Sequence, residues 1–257
     1  MKSLKYILPV FLIVAVVVVI FFANKWRNNI FFDKITVKGN YTLTKEEVLK
    51  AANLKADSVI NLQELNIVFL QDRICKHPEI KRASVSKNPP DELIIEIVEK
   101  RPVAILNTGR ELKLVDEELE VFSFKNFEKL YDLPVINGIR PEVIQNIEKG
   151  EKSEELQLGV YFVLSAMKKS KLIFSQISEV NMSDSNKVIV YSNENNTPFY
   201  FPRFPEKNII SDSSYQKLIN DKLTLFKKYY DKIYADSKGK NVGYVDLRFN
   251  NQIVVKQ

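Results

Sequence analysis

Histidine and cysteine each occur once in this 257-residue chain, and glycine only seven times. A lone imidazole, His77, cannot supply the two or three nitrogen ligands of an HExxH-type zinc site. A lone thiol, Cys75, excludes an internal disulfide. The run Cys75-Lys76-His77 reads as a buried helix-end thiol beside a cap-region imidazole, not as a nucleophile with its base. The patterns GxSxG, GxGxxG and GxxxxGK[ST] are missing, and so few glycines offer no phosphate cradle; Gly239-Lys240 is followed by asparagine. The densest acidic cluster, Asp116-Glu117-Glu118, reads as a charged hairpin turn. Asp246 and Arg248 stand two apart on a strand pattern, where side chains share a face and pair to satisfy each other. No catalytic, metal-ligating or cofactor-binding residue is expected.

Tyr6 to Ala23 is an uncharged run of eighteen residues, fourteen of them Leu, Ile, Val or Phe. As a helix it measures about 27 Å, and Leu4 with a snorkelling Lys5 brings it to the roughly 30 Å of a hydrocarbon core. Insertion should be favourable by about 4 to 8 kcal/mol as an upper bound. A cleaved signal peptide would need a shorter apolar stretch and a small-x-small site, which FFANKW lacks, so an uncleaved anchor is expected. Charge does not set its orientation, since Lys2 and Lys5 are balanced by Lys25 and Arg27. The net charge of +6 is spread along the chain. It reads as a solvated surface with some attraction for anionic headgroups or wall polymers.

The remaining length suits two small domains. FDKITVKGN alternates as a strand and ends on the turn pair Gly39-Asn40. Thr44-x-x-Glu47 is a capping box for a helix through Ala52, with Val48, Leu49 and Ala52 inward. Asn61 is read as the cap of a second helix, Leu62, Leu65, Val68 and Phe69 supplying its core face. His77-Pro78 closes that helix. Residues 82–87 and 92–101 are strands around Asn88-Pro89-Pro90-Asp91. Strand, helix, helix, strand, strand makes two helices on a three-stranded sheet.

After Pro102 the chain is strand-rich. ELKLVDEELEVF reads as two strands. Ser153 opens a helix carrying Leu156, Val160, Val163, Leu164 and Met167. VIVYS and TPFYFPR are strands separated by a polar loop, 192–197. Ser213-x-x-Gln216 precedes a helix with Ile219, Leu223, Phe226, Tyr230 and Ile233 on one face. The closing stretch GYVDLRFNNQIVVKQ alternates: Val245, Leu247 and Phe249 on one face, Tyr244, Asp246 and Arg248 on the other. Asn250-Asn251 can turn the chain, and Ile253-Val254-Val255 forms a last strand. A final strand is an open edge, a liability unless something binds it.

A short tail, one anchor and HPEIKRASVSKNPPDELIIEIVEKRPVAIL together resemble the FtsQ/DivIB cell-division proteins and their POTRA-type domain. The ending Glu99-Lys100-Arg101-Pro102-Val103-Ala104 carries the likeness. It continues through LKLVDEELEVF, Leu133-Pro134-Val135-Ile136-Asn137-Gly138 and Val245-Asp246-Leu247-Arg248-Phe249, and so covers nearly the whole chain. Departures are Glu118 at a turn position usually held by glycine, FYFPR without a following glycine, and Phe249 in place of tyrosine.

The fold implied is α+β: a tail at 1–5, a single transmembrane helix at 6–23, a βααββ POTRA-like domain at 32–104 and a strand-rich domain at 105–257 ending in an edge strand. The resemblance implies a bitopic, non-catalytic scaffold with a cytoplasmic N-terminus, its bulk in the periplasm or wall zone. Its expected partners are FtsB/FtsL (DivIC)-type proteins, which such a scaffold joins in controlling septal peptidoglycan synthesis. The contact expected is strand addition along Arg248, Phe249, Asn250, Asn251, Ile253, Val254 and Val255. Lys222 corresponds either to a basic residue that pairs with a partner's acid or to a solvated lysine. A POTRA-bearing transport or outer-membrane assembly factor is the alternative, though no barrel-type alternation is present. A membrane-tethered wall hydrolase would need a paired acid and base in a cleft.

Overall fold

The computed structural model describes residues 4–27, 31–32, 34–55, 60–61, 65–88, 90–123, 131–203, 213–234 and 242–257. They form two compact units, Met1–Lys100 and Arg101–Gln257.

The first unit opens with helix α1, Leu4–Arg27. The side chains described in α1 run from 11 to 23, about 20 Å of helix, and are exposed. Among the described residues no helix is long and apolar enough to cross a membrane. Then come β1 (Phe31–Phe32), β2 (Lys34–Lys38), α2 (Lys45–Ala52), β3 (Ile60–Asn61), α3 (Ile67–Cys75), β4 (Ile80–Asn88) and β5 (Glu92–Glu99). β1 pairs antiparallel with β3. The other strands form a sheet in the order β2-β5-β4, parallel on one side of β5 and antiparallel on the other. Two helices on three strands is the arrangement the sequence led us to expect.

Local chemistry explains most boundaries. The Thr44 side chain accepts from the Glu47 amide and the Glu47 carboxylate accepts from the Thr44 amide, so the capping box forms as read. Val48, Leu49 and Ala52 face the core. Gly39 has φ +78°, and a Cβ there would run into the Ile97 carbonyl, so only glycine fits this turn. The next loop is held by one buried carboxylate. Glu99 accepts from the Tyr41 and Leu43 amides at 2.9 Å, from the Thr42 amide at 3.0 Å and from the Thr42 hydroxyl at 2.7 Å.

Three expectations in this unit need correction. The second helix is capped by Asn66, not Asn61, its side chain accepting from the Phe69 amide. Starting five residues later resets the helical phase: Leu70 and Ile74 reach the core, while Val68 and Phe69 are left 65% and 58% exposed. Cys75 is exposed, because it falls on the same outer face. His77 is buried and its Nδ1 accepts from the Glu79 amide at 3.3 Å.

The second unit runs β6 (Pro102–Asn107), β7 (Leu112–Asp116), β8 (Val121–Phe122), β9 (Val135–Asn137), α4 (Pro141–Glu148), α5 (Glu154–Lys169), α6 (Lys171–Ser175) and β10 (Ile177–Asn181). There follow β11 (Lys187–Ser192), β12 (Pro198–Pro202), α7 (Ser213–Lys228) with a π-helical turn (Tyr229–Tyr234), β13 (Tyr244–Asp246) and β14 (Val254–Lys256). One sheet takes nine strands in the order β14-β13-β12-β11-β10-β9-β6-β7-β8. The pairs β9/β10 and β12/β13 are parallel, so each needs a helical crossover. Both crossovers step in the same direction along the sheet from strands of the same sense. The right-handed rule therefore sets α5 and α7 on one face, where they touch each other.

The core lies between those helices and the sheet. Val180, Val188, Val190, Phe199, Phe201 and Val245 meet Leu156, Val160, Val163, Ile219, Leu223 and Phe226. Phe199 packs edge-on against Phe226 with ring centroids 4.6 Å apart. Ser153 caps α5 as expected, its side chain accepting from the Leu156 amide. Met167, expected on the same buried stripe, is exposed; the last buried residues of α5 are Val163 and Ala166. Ser213 is the first residue of α7 instead of its cap. The side chain of Ile233 lies outside the described residues. In the hairpin between β7 and β8 the left-handed residue is Leu119, φ +69°, not Glu118.

Candidate functional site

The terminal edge is built from β13, β14 and the helix α7 behind them. β14 pairs with β13, antiparallel, with Val245 opposite Val255 and Asp246 opposite Val254. Its other side carries no strand among the described residues. Which of its polar groups face outward follows from the neighbouring pair. The Leu247 amide donates to the Tyr200 carbonyl at 3.0 Å across the parallel β12/β13 pair. That turns the Asp246 amide and carbonyl the other way, toward Val254. Antiparallel pairs alternate, so the amide and carbonyl of Val255 point outward, to the open edge.

The expected residues come together here in different roles. Ile253 and Val255 are half-buried and pack against the core, while Val254 is 40% exposed on the opposite face. Asn251 takes φ +52°, so the Asn250-Asn251 turn forms. Phe249 does not continue the buried face of Val245 and Leu247: β13 stops at Asp246, and Phe249 is 51% exposed.

The cause of that early stop is a polar knot. The buried Asp246 carboxylate accepts from the Arg248 amide at 3.0 Å and from its guanidinium at 2.6 and 3.0 Å. Burial pushes the Asp246 carboxyl upward, but the bonds from Arg248 outweigh it and hold the group below its usual range. The two residues satisfy each other, as the sequence suggested.

Lys222 is the surprise of the site. It is 2% exposed, neither solvated nor available to a partner's acid. Its Nζ donates to the Phe249 carbonyl at 2.6 Å and to the Arg248 carbonyl at 3.4 Å. Burial lowers its pKa, opposed by attraction to Asp221 and Asp246. The sequence held the signal: 219, 222, 223 and 226 share one helical face, so Lys222 lies in the apolar stripe.

Around the knot, on the sheet face away from the helices, Tyr200 stacks on Tyr244 with centroids 4.9 Å apart. The Lys187 ammonium sits 3.8 Å over the Tyr200 ring, and Lys256 sits 5.7 Å over Tyr244. Among the described residues no group of three His, Cys, Asp or Glu could hold a metal ion.

Comparison with known proteins places this architecture. Residues 32–100 match the family model for the POTRA domain, FtsQ-type, and residues 104–248 match the model for cell division protein FtsQ/DivIB, C-terminal. The second match ends at Arg248, before the turn and β14. The cell division protein FtsQ of Geotalea daltonii is 25% identical over 228 residues, 88% of this chain and 75% of the relative. That of Syntrophotalea carbinolica is 27% identical over 164 residues, 62% of this chain and 55% of the relative. The cell division protein DivIB of Clostridium tetani is 19% identical over 223 residues, 86% of this chain and 77% of the relative.

Proposed function

Since this chain belongs to the FtsQ/DivIB family of cell-division proteins, we propose that it is a single-pass membrane scaffold that captures a division partner by strand addition at β14. In this reading α1 is the anchor and the N-terminus is cytoplasmic. Both folded units stand in the periplasm or wall zone at the septum. Support for the anchor comes from the eighteen uncharged residues of the sequence and the helix drawn through them. The partners are FtsB/FtsL (DivIC)-type proteins, and the complex helps control septal peptidoglycan synthesis. The chain itself carries out no chemistry.

One observation carries the recruitment reading: among the described residues β14 has a neighbouring strand on one side only, and Val255 turns its amide and carbonyl to the other. Arg248, Phe249, Asn250 and Asn251 form the exposed approach to that edge, and Ile253, Val254 and Val255 form the edge itself. Lys222 serves it from inside.

Val255→Pro tests this. Proline removes the outward donor while leaving the Asp246–Val254 ladder intact, and edge strands tolerate proline when its nitrogen faces away from the sheet. Partner affinity should fall on the order of 10-fold or more, with the melting profile little changed. Val254→Pro differs, because it also breaks the protein's own β13/β14 ladder. Unaltered partner binding by a folded Val255→Pro protein would rule out strand addition.

A further inference from the structure

The bare face of α3 points to a second contact, one that rests on reading α1 as the membrane anchor. Val68 and Phe69 are adjacent, apolar and 65% and 58% exposed, while Leu70 and Ile74 on the other side of the helix close the core. The Arg73 guanidinium lies 4.5 Å over the Phe69 ring and donates to the Ala52 carbonyl at 3.3 Å. A fixed cation thus backs an aromatic ring whose other side is open.

Chain connectivity limits how far that ring lies from the end of α1. Only residues 28–30 separate the end of α1 from β1, so Phe31 lies within about 14 Å of Arg27. Phe31 stands opposite Asn61 in the β1/β3 pair. Asn66, the cap of α3, follows Asn61 by five residues, within about 17 Å. The leading end of α3, where Val68 and Phe69 sit, is therefore kept within a short chain reach of the end of α1.

We propose that Val68 and Phe69 dip into the interface of the membrane that holds α1, with Arg73 among anionic headgroups. An exposed apolar pair beside a cation is the composition that seats at that depth. Asp72 and Lys76, further along the exposed side, stay in the headgroup water. The unit then stands on the bilayer at two points, the anchor and this face, with a fixed orientation.

The test uses the full chain in nanodiscs of phosphatidylethanolamine and phosphatidylglycerol. A polarity-sensitive fluorophore is placed at Phe69→Cys in a Cys75→Ser background, and in parallel at Tyr41→Cys, a site 85% exposed. Both sites are exposed, so folding should survive. The label at 69 should shift to the blue and lose intensity to shallow nitroxide lipids, consistent with a depth of about 5–10 Å. The label at 41 should do neither. A label at 69 that behaves like the one at 41 overturns the proposal. So does one that is blue-shifted yet unquenched, since protein and not lipid would then cover it. If alkaline washing strips the chain from the nanodiscs, the anchor reading fails and takes this inference with it. If the chain stays and 69 is unquenched, this inference fails alone.

Discussion

Replacing Glu99 with alanine is expected to lower the thermal midpoint of the first unit by roughly 10–20 °C, the equivalent of about 3 kcal/mol in a domain of this size. The carboxylate is the shared acceptor for three successive amides, those of Tyr41, Thr42 and Leu43, and for the Thr42 hydroxyl. Charge-assisted bonds of this kind are the strong ones, and the amide of the buried Leu43, left without its acceptor, bears the full desolvation cost. Glu99→Gln should lose part of this stability, because one oxygen remains while an NH2 is set against existing donors. Amide exchange localises the effect: residues 41–43 should lose protection before the strands do. A loss below about 1 kcal/mol would mean that water replaces the carboxylate as acceptor. The sequence marks Glu99 only as one letter of a recurring ending; its work is to hold a loop more than fifty residues away.

Lys222→Met should loosen the terminal edge. The ammonium joins α7 to two carbonyls, those of Arg248 and Phe249, in the stretch between β13 and β14. Methionine fills a similar volume and donates nothing, so destabilisation of about 1–3 kcal/mol is expected, with faster amide exchange confined to 247–257. The pH dependence distinguishes this from a packing defect. Burial lowers the Lys222 pKa below its ordinary 10.5, so between the native value and 10.5 the unfolded chain binds more protons than the folded one. In the native protein this residue's contribution therefore makes stability rise with pH through that window. Below it both states are protonated and the cost of burying the charge is complete. The methionine variant should lack this slope. An unchanged slope, or exchange that rises across the whole second unit, would show that Lys222 is not what holds the edge.

Features set by neighbouring residues were legible in the sequence. The capping box at Thr44 and the Ser153 cap need only residues three apart, and both form. The Asn251 turn needs only a residue that tolerates positive φ. Where two local signals competed, tertiary fit decided. Asn61 and Asn66 are both credible caps, and Asn61 instead joins β3, which moves Val68 and Phe69 from the core to the surface. β9 is not legible because it is three residues long and is completed by partners distant in the chain, lying between β6 and β10. At the site, alternation assumed that the strand ran on to Phe249. It stops at Asp246, where the carboxylate is more strongly bound by Arg248 than a solvent-facing strand position would require.

The two crossover helices lie on the same face, and their shelter thins toward the sheet's end: Val245 is fully covered, while Ile253 and Val255 are only half so. They act as a roof whose eaves stop near β14. A strand seated beyond would have its inward side chains overhanging that roof. Backbone bonding alone would leave those side chains wet, so a lasting guest has to bring its own apolar lining, a flanking helix or a folded-back turn. A bare extended peptide should dock weakly and leave quickly.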